Sequence, residues 1–387
     1  MEKIYYQEPY LKKIQCAVTG VKHTDRGTEV LTDRTVFYPE GGGQPGDCGT
    51  LGEWTVRDTR KADNGDSILI LDGDCHVETN QNLELELDWK HRFRYMVLHT
   101  AQHLVSGLLY SQFGIGTVSV HLGDGFMTIE TDRAQIDGET TDRLVRIANE
   151  KIRENHRIIY REMSHAEAEA LGLRRSIKVD GDVRIVEIEG VDRIACGGVH
   201  VGTTSEIGVI VFAGSENIRG HVRLVFECGE AAADRACERA MLLGSIAKNL
   251  SCSEAELPVK IHSLTDEIAQ LKAALKTAQK KNALTEITSH LEGDVACFET
   301  DTDLAAVIQA TSDFENIALC AVNAERWVIV LNGRYSHLDF NLLRQSVLVS
   351  VNAKGGGKPP VFQGIADFSQ TGVQTFLLSV KSLFQTL

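Results

Sequence analysis

Two pairs of potential metal ligands, far apart in the sequence, constrain the fold of this chain most strongly. His99 and His103 are four residues apart on a predicted helix, so both imidazoles face one side of it. Cys196 and His200 have the same separation, in a Gly-Gly turn between predicted strands. Three nitrogens and one sulfur suit tetrahedral zinc, although about 0.4 such His pairs are expected by chance, so packing alone remains an alternative for either pair. If both pairs share one ion, the fold must bring the helix against the turn.

The first 87 residues predict a β-rich, barrel-like subdomain. Short alternating or β-branched runs are separated by Gly, Asn and Asp turn signals, which indicates strands at 14–18, 29–31, 67–71 and 83–87. Among these runs lies 35–51, a segment rich in Gly and Pro that ends its strands and turns the backbone sharply.

Residues 88–230 predict a second, mixed domain that contains both ligand pairs. Asp88 can cap a helix that carries the two histidines and ends at Gly114. Two hairpin-like stretches, 183–188 and 205–211, flank the turn with the Cys–His pair.

The remaining sequence predicts a helical linker, 231–293, interrupted at 257–258, and an α/β domain, 294–387. In the linker, apolar residues alternate at spacings of four and three, which is typical of a coiled-coil seam: Leu264, Ile268, Leu271, Leu275 and Ala278. In the last domain the pattern indicates strands at 295–298, 317–322, 327–331 and 346–351, followed by a glycine-rich loop at 353–360. The whole chain is therefore predicted to belong to the α+β class.

Composition limits the setting in which the protein acts. The N-terminus lacks the apolar stretch of a signal peptide, and no run of about 18 apolar residues can span a bilayer. Nine cysteines without a CxxC pair favour the reducing cytoplasm. The net charge of −14 disfavours a nucleic-acid partner as a whole, but phosphate contacts need only a local basic patch.

Four segments together resemble the editing domain of alanyl-tRNA synthetase and its freestanding relatives. They are YPEGGGQPGDCG, HTAQH, HLGDGFMTIE and VRIVEIEGVDRIACGGVHVGTTSEIGVIVF, in the family's order. The part after residue 230 is similar to the family's C-terminal domain, which is shared with DHH phosphoesterases (the DHHA1 domain). Because no synthetase activation domain fits before residue 30, the resemblance implies the long, freestanding type of editing protein. Its expected activity is zinc-dependent deacylation of mischarged tRNA(Ala), most of all seryl-tRNA(Ala) and also glycyl-tRNA(Ala).

The resemblance also implies roles for individual residues. His99, His103, Cys196 and His200 match the zinc ligands of the family. Thr35 and Gln44 match residues associated with recognition of the misacylated group, although strand packing for Thr35 and turn stabilisation for Gln44 are alternatives. The peptide N–H groups of the glycines at 41–43, and above all of Gly42 and Gly43, are candidates to bind an oxyanion because glycine lets the backbone approach a ligand closely.

The C-terminal part is expected to bind tRNA and to form a homodimer. Two lysines around free glycine amides can hold phosphate, so the predicted RNA-binding residues are Lys354, Gly355, Gly356, Gly357 and Lys358. A lysine-rich stretch of the linker is a second candidate, with a solvated helix face as the alternative: Lys272, Lys276, Lys280 and Lys281. Arg92 and Arg94, placed before the histidine-bearing helix, are a third.

Three other functions stay open at this point. A threonyl-type editing domain has the same HxxxH and CxxxH pattern, although the sequence GGGQPGD favours the alanyl type. A non-catalytic RNA-binding protein with structural zinc fits the four ligands, because closed tetrahedral sites are usually structural. A DHH-type phosphoesterase is suggested by the C-terminal part alone, but the chain has no DHH triplet.

Overall fold

The structure is a computed structural model that describes residues 1–24, 27–73, 75–177, 181–338 and 340–386. It divides into two compact units, Met1–Leu243 and Gly244–Leu387. Helices and sheets occur in both units, so the predicted α+β class is confirmed. Within the described residues, none of the helices has the length and apolar character needed to cross a bilayer.

The first unit begins with a closed six-stranded barrel. Its early elements are β1 Glu2–Lys3, α1 Ile4–Gln7, β2 Lys13–Thr24, β3 Gly27–Thr32, β4 Arg34–Thr35, β5 Gly49–Leu51, β6 Trp54–Lys61, β7 Ser67–Leu71 and β8 Asn82–Leu87. The barrel closes in the order β2-β3-β7-β6-β5-β8, while β1 pairs with β4 outside it. Alternate aliphatic residues such as Val18, Val30 and Leu69 fill the interior. The predicted strand at 67–71 is confirmed with the same bounds, and the other three predicted strands are confirmed with wider bounds.

One long helix, α2 Trp89–Phe113, forms the centre of the rest of this unit. It begins where the Asp88 side chain accepts a hydrogen bond from the amide of His91, and it ends at Gly114 in the left-handed conformation, as predicted. The helix is buried along most of its length, and its Met96, Leu104 and Leu108 belong to the largest apolar core of the unit.

Two antiparallel sheets and three helices surround α2. They comprise β9 Thr117–Leu122, β10 Phe126–Thr131, α3 Gly138–Arg153, β11 Ile158–Met163, α4 His165–Ala170, β12 Val183–Ile188, β13 Asp192–Ala195, β14 Ile210–Ile218, β15 His221–Cys228 and α5 Gly229–Asn249, which extends past the unit boundary. The strand orders are β14-β15-β10-β9 and β11-β12-β13. The predicted strand at 205–211 is wrong at its start, because Thr203 and Glu206 form a capping box that holds Thr204–Ile207 as a 3-10 turn.

The second unit contains a long helix and one six-stranded sheet. Its elements are α6 Leu257–His290, β16 Leu291–Glu292, β17 Val295–Glu299, α7 Leu304–Ala310, β18 Ile317–Asn323, β19 Arg326–Asn332, α8 Phe340–Leu343, β20 Lys354–Lys358, β21 Val361–Ile365 and α9 Val373–Thr386. The sheet order is β16-β17-β18-β19-β21-β20, with β17 and β18 parallel.

Three predictions for this unit are corrected by the structure. Residues 346–351 are helical, because Val347, Leu348 and Val351 recur at helical spacing and pack together into the core. The predicted interruption at 257–258 lies before α6 instead, since Pro258 occupies the first turn, where its missing N–H costs nothing. The predicted glycine-rich loop forms the edge strand β20, which pairs with β21 through Gly355 and Gly357.

Candidate metal centre

The four predicted ligands meet in the first unit. His99 and His103 project from the middle of α2, while Cys196 and His200 come from the turn after β13. One ligand atom from each residue lies within 4.8 Å of the others, and all three imidazoles are buried. The close approach of helix and turn that the spacing predicts is therefore present in the fold.

Neighbouring oxygens fix which imidazole nitrogen faces the cluster. Nδ1 of His99 lies 2.8 Å from Oε1 of Gln44. Nδ1 of His200 lies 3.2 Å from the hydroxyl of Thr100, which donates its own proton to the carbonyl of Met96 and so accepts from the ring. Both histidines therefore present Nε2, with its lone pair, to the centre of the cluster.

The distances within the cluster fit a tetrahedral metal with one sulfur ligand. Sγ of Cys196 lies 3.5 Å from Nε2 of His99 and 3.6 Å from Nε2 of His200. A tetrahedral zinc with Zn–S of about 2.3 Å and Zn–N of about 2.0–2.1 Å requires an S···N separation of about 3.5 Å. The residues present are therefore able to bind a metal of this kind.

Burial sets the protonation state of these groups. It lowers the pKa of His99 to about 3, and the positive charge of Arg184 acts in the same direction. Burial, with the neighbouring imidazole charges, also holds the pKa values of His103 and His200 well below the usual range. All three imidazoles are therefore neutral near pH 7, which is the form that binds a metal. Burial raises the pKa of the Cys196 thiol, so metal binding would release its proton.

Gly198 allows the turn to approach the helix. A Cβ atom at this position would lie 2.1 Å from Cε1 of His99 and 3.1 Å from Oε1 of Gln44. Any side chain here would push the histidine away from the cluster. Gly197, one residue earlier, has room, since its Cβ would meet only the Tyr6 hydroxyl at 3.5 Å.

The glycine-rich segment forms a tight turn next to the cluster. Gly41 and Gln44 exchange two backbone hydrogen bonds of 3.0 Å, and the two residues between them have positive φ, +63° for Gly42 and +87° for Gly43. This is the geometry of a type I′ turn, for which glycine is favoured. The amide of Gly41 is used within the turn, so of the three predicted oxyanion donors only Gly42 and Gly43 have amides without a partner among the described residues.

Gln44 connects this turn to the cluster. It is fully buried, and its Oε1 accepts from Nδ1 of His99 and from the amide of Val199 at 3.3 Å. Its Nε2 is a buried donor without a hydrogen-bond partner in the described part of the chain. Because a buried unpaired donor is costly, this amide is suited to a group that arrives with the substrate.

Thr35, unlike Gln44, makes no hydrogen bond to the four-residue cluster among the described residues. It is fully buried at the end of β4, and its hydroxyl oxygen accepts from the amide of Phe37 at 3.0 Å. None of the hydrogen bonds found for the described residues joins it to the four ligands. Among the described residues, no acceptor is found for the hydroxyl proton.

Of the two arginines predicted to contact RNA in the first unit, Arg92 is buried, so that prediction is wrong for Arg92. Arg92 lies within α2, not before it, and is fully buried, with its guanidinium paired to Asp47 and hydrogen-bonded to the carbonyl of Pro9. Its neighbour His91 contacts the carbonyl of Gly46 at 2.9 Å. Arg92 therefore anchors the glycine-rich segment to α2, and this explains why that segment lies beside the two histidines of α2. Arg94 also lies within α2 and pairs with Asp124 at the surface.

Sequence reasoning missed three residues around the Cys–His turn. Arg184 donates to the carbonyls of Cys196 and Gly198, Thr100 orients His200, and the Tyr160 hydroxyl donates to the carbonyl of His200 at 3.3 Å. Arg184 belongs to the strand VRIVEI, where an arginine between valine and isoleucine in a buried strand was the available signal.

The predicted RNA contacts of the second unit lie on two of its elements. Lys354 to Lys358 form the exposed edge strand β20. On α6, the Lys280 ammonium pairs with Asp313 at 2.8 Å, so part of the charge of the lysine-rich stretch is compensated.

The sequence of this chain is similar to those of known proteins that carry editing domains. The family described as threonyl and alanyl tRNA synthetase second additional domain matches residues 183–225, which include the Cys–His turn. Alanyl-tRNA editing protein AlaX-L of Pyrococcus horikoshii is 30% identical over 94% of both chains. Alanyl-tRNA editing protein Aarsd1 of Bos taurus is 33% identical over 54% of this chain and 48% of its own length. Alanine–tRNA ligase of Methanopyrus kandleri is 29% identical over 94% of this chain but only 42% of the ligase.

The fold, the His–Cys cluster and these matches define the class of protein: an aminoacyl-tRNA deacylase with a site able to bind a metal. An identity of 30% over nearly the whole of both chains specifies the group more closely. The chain belongs to the family of alanyl-tRNA editing proteins.

Proposed function

We propose that this protein is a zinc-dependent hydrolase that removes serine, and also glycine, from mischarged tRNA(Ala) after its release from the synthetase. The observation that carries the proposal is the contact between Gln44 and His99, which places the glycine-rich turn beside four converging ligand atoms. The described residues contain no disulfide, in keeping with action in the reducing cytoplasm.

Zinc is the metal that the donor set favours. Three imidazoles and one thiolate in a tetrahedron suit zinc better than the oxygen-preferring cations magnesium and calcium. His99, His103, Cys196 and His200 would hold the ion, and a bound zinc would supply a fixed positive charge next to the ester.

The chain's own donors act on the ester. The amides of Gly42 and Gly43 lie in a tight turn, have no hydrogen-bond partner among the described residues and would stabilise a developing oxyanion. The Nε2 amide of Gln44 is a further buried donor that would be satisfied by an oxygen of the aminoacyl group. Since these donors are fixed before substrate arrives, they stabilise charge without reorganisation.

Selectivity requires that the pocket reward the serine hydroxyl, because correct alanyl-tRNA lacks only that group. A site built to hydrogen-bond a hydroxyl can reject an analogue without it by about 10⁴ or more. We assign this hydrogen bond to Thr35, whose hydroxyl proton has no acceptor among the described residues.

We propose four functional segments in the chain: the barrel at 1–87, the editing core at 88–230, a coiled-coil linker at 231–293 and a DHHA1-like domain at 294–387. Lys354, Gly355, Gly356, Gly357 and Lys358 are assigned to tRNA. Strand β20 is exposed at the sheet edge, where two lysines flank three glycines whose backbone a phosphate can approach.

The exposed seam of α6 supports a homodimer. Ile268, Leu271 and Leu275 are 52%, 61% and 59% exposed although they follow a coiled-coil spacing. Such a stripe on a 34-residue helix is stabilised by a second copy of the same helix.

The decisive experiment is deacylation of tRNA(Ala) charged with serine, glycine or alanine, with seryl-tRNA(Ser) and threonyl-tRNA(Thr) as controls. We expect rapid hydrolysis of seryl-tRNA(Ala) and much slower hydrolysis of glycyl-tRNA(Ala) and alanyl-tRNA(Ala), which both lack the hydroxyl. Equal rates on all five esters, or activity that survives in zinc-free protein, would contradict the proposal.

A further inference from the structure

We propose that Arg184 binds the phosphate group of the tRNA's terminal nucleotide, next to the metal centre. This inference rests on the proposed function, since it names the part of the substrate that one side chain holds. Arg184 lies on β12, which is followed in the chain by β13 and then by the Cys–His turn.

The guanidinium of Arg184 is held rigidly. Its Nη1 donates to the carbonyl oxygens of Cys196 at 2.9 Å and Gly198 at 2.8 Å. It also contacts two aromatic rings, with the guanidinium carbon 4.7 Å from the centre of Tyr6 and 4.4 Å from that of Tyr160. Stacking and two hydrogen bonds fix the orientation of the group before any ligand binds.

The opposite edge of this guanidinium has no partner among the described residues. Arginine binds carboxylate or phosphate with two parallel hydrogen bonds, and the edge formed by Nε and Nη2 can supply them. In the same unit Arg174 uses that edge for Asp192, and Arg157 uses it for Glu189. For Arg184, the described part of the chain offers neither a hydrogen bond to Nε or Nη2 nor an ion pair.

Electrostatics favours an anion at this edge. Arg184 is half-buried and donates to the backbone carbonyl of Cys196, so its positive charge lies next to the cluster. A bound metal would add further positive charge at the same place. A desolvated cation next to a second cation is stabilised by a negative ligand, even though the whole chain carries a net charge of −14.

The substrate offers one anion at a suitable place. In a 3′-aminoacyl-tRNA the 5′ phosphate of the terminal adenosine is separated from the ester by only the ribose. When the ester lies at the cluster, this phosphate is the nearest negative charge of the RNA. A planar two-pronged donor matches a phosphate, which explains why an arginine rather than a lysine occupies the position.

The first test uses the full-length wild-type protein and two probes, adenosine 5′-monophosphate and adenosine. Both are measured as competitive inhibitors of seryl-tRNA(Ala) deacylation and, independently of activity, as ligands by calorimetry. We expect the monophosphate to bind about tenfold to a hundredfold more tightly, since two charge-assisted hydrogen bonds are gained. Equal binding of the two probes would overturn the proposal, whether or not the enzyme edits seryl-tRNA(Ala).

The second test uses Arg184→Lys and Arg184→Gln, with Arg193→Lys as the control. Arg193 lies on the adjacent strand and pairs with Glu187 at 2.9 Å, away from the carbonyls of the turn. Both Arg184 variants should lose most of the preference for the monophosphate and should raise KM more than they lower kcat, whereas the control should change neither. Zinc content reports whether the turn is intact. A variant that retains zinc and also retains the full monophosphate preference would show that Arg184 only braces the turn.

Discussion

Oε1 of Gln44 lies 2.8 Å from Nδ1 of His99, and this contact links the glycine-rich turn to a proposed metal ligand. The same oxygen accepts from the amide of Val199, which lies next to the ligand His200. One buried amide therefore orients an imidazole from α2 and the backbone of the opposite turn, while its nitrogen has no hydrogen-bond partner among the described residues.

Gln44 thus has two roles that substitution can separate. Gln44→Met removes both polar atoms at similar volume, and we expect zinc affinity to fall about tenfold to a hundredfold because the orientation of His99 is lost. Gln44→Glu keeps an acceptor for His99 but replaces the Nε2 donor, so it should retain zinc and lose deacylation. The measurements are zinc dissociation constants by competition with a chelator and single-turnover rates. Equal zinc affinity in wild type and Gln44→Met would contradict the orienting role.

Gly198→Ala should abolish metal binding, because its Cβ would lie 2.1 Å from Cε1 of His99. The matched control is Gly197→Ala, whose Cβ has no atom nearer than 3.5 Å. Zinc content after dialysis, with circular dichroism to check folding, distinguishes the two. Full zinc content in Gly198→Ala would mean that the turn can move away from α2.

Cys196→Ala should remove the only sulfur ligand of the cluster. We expect about one zinc per wild-type chain and much less in the variant, with loss of most deacylation. Cys297→Ala, in the second unit, changes a cysteine outside the cluster and serves as the control. Metal content by atomic emission spectrometry and deacylation rates are measured on the same preparations, and wild-type activity in zinc-free protein would refute the assignment.

Thr35→Val keeps the β-branched shape but removes the hydroxyl. We expect the barrier to seryl-tRNA(Ala) deacylation to rise by roughly 1–3 kcal/mol, with the residual alanyl-tRNA(Ala) rate much less affected. Thr35→Ser retains the hydroxyl and the acceptor for the amide of Phe37, so it should retain selectivity. If single-turnover measurements give the same serine-to-alanine ratio in wild type and Thr35→Val, Thr35 only packs and turns its strand.

The α6 seam should determine the oligomeric state. Replacing Ile268, Leu271 and Leu275 together by Ser removes apolar side chains that are already exposed in one chain, so the fold of each chain should persist. We expect a dimer in the wild type and a monomer in the variant by light scattering, with unchanged zinc content. Replacing the exposed Lys272 and Lys276, which lie off the seam, by Ser is the control and should leave the dimer intact.

The sequence alone determined the features that depend on interactions between residues a few positions apart. A spacing of four placed His99 and His103 on one face of α2, Asp88 and Gly114 set the ends of that helix, and Gly42 and Gly43 allowed the tight turn. Local backbone geometry and periodicity fix such features, because the interacting residues are close in sequence.

Tertiary structure alone decided the contacts between distant residues. Three contacts have no local sequence pattern: the amide of Gln44 on His99, the ion pair of the buried Arg92 with Asp47, and the hydrogen bond of Arg184 to the Cys–His turn. Packing also overrode local preference at 346–351, where a β-branched run became helical to bury Val347 and Val351. Propensity differences of less than about 1 kcal/mol per residue are smaller than the gain from burying such side chains, so the core decides these segments.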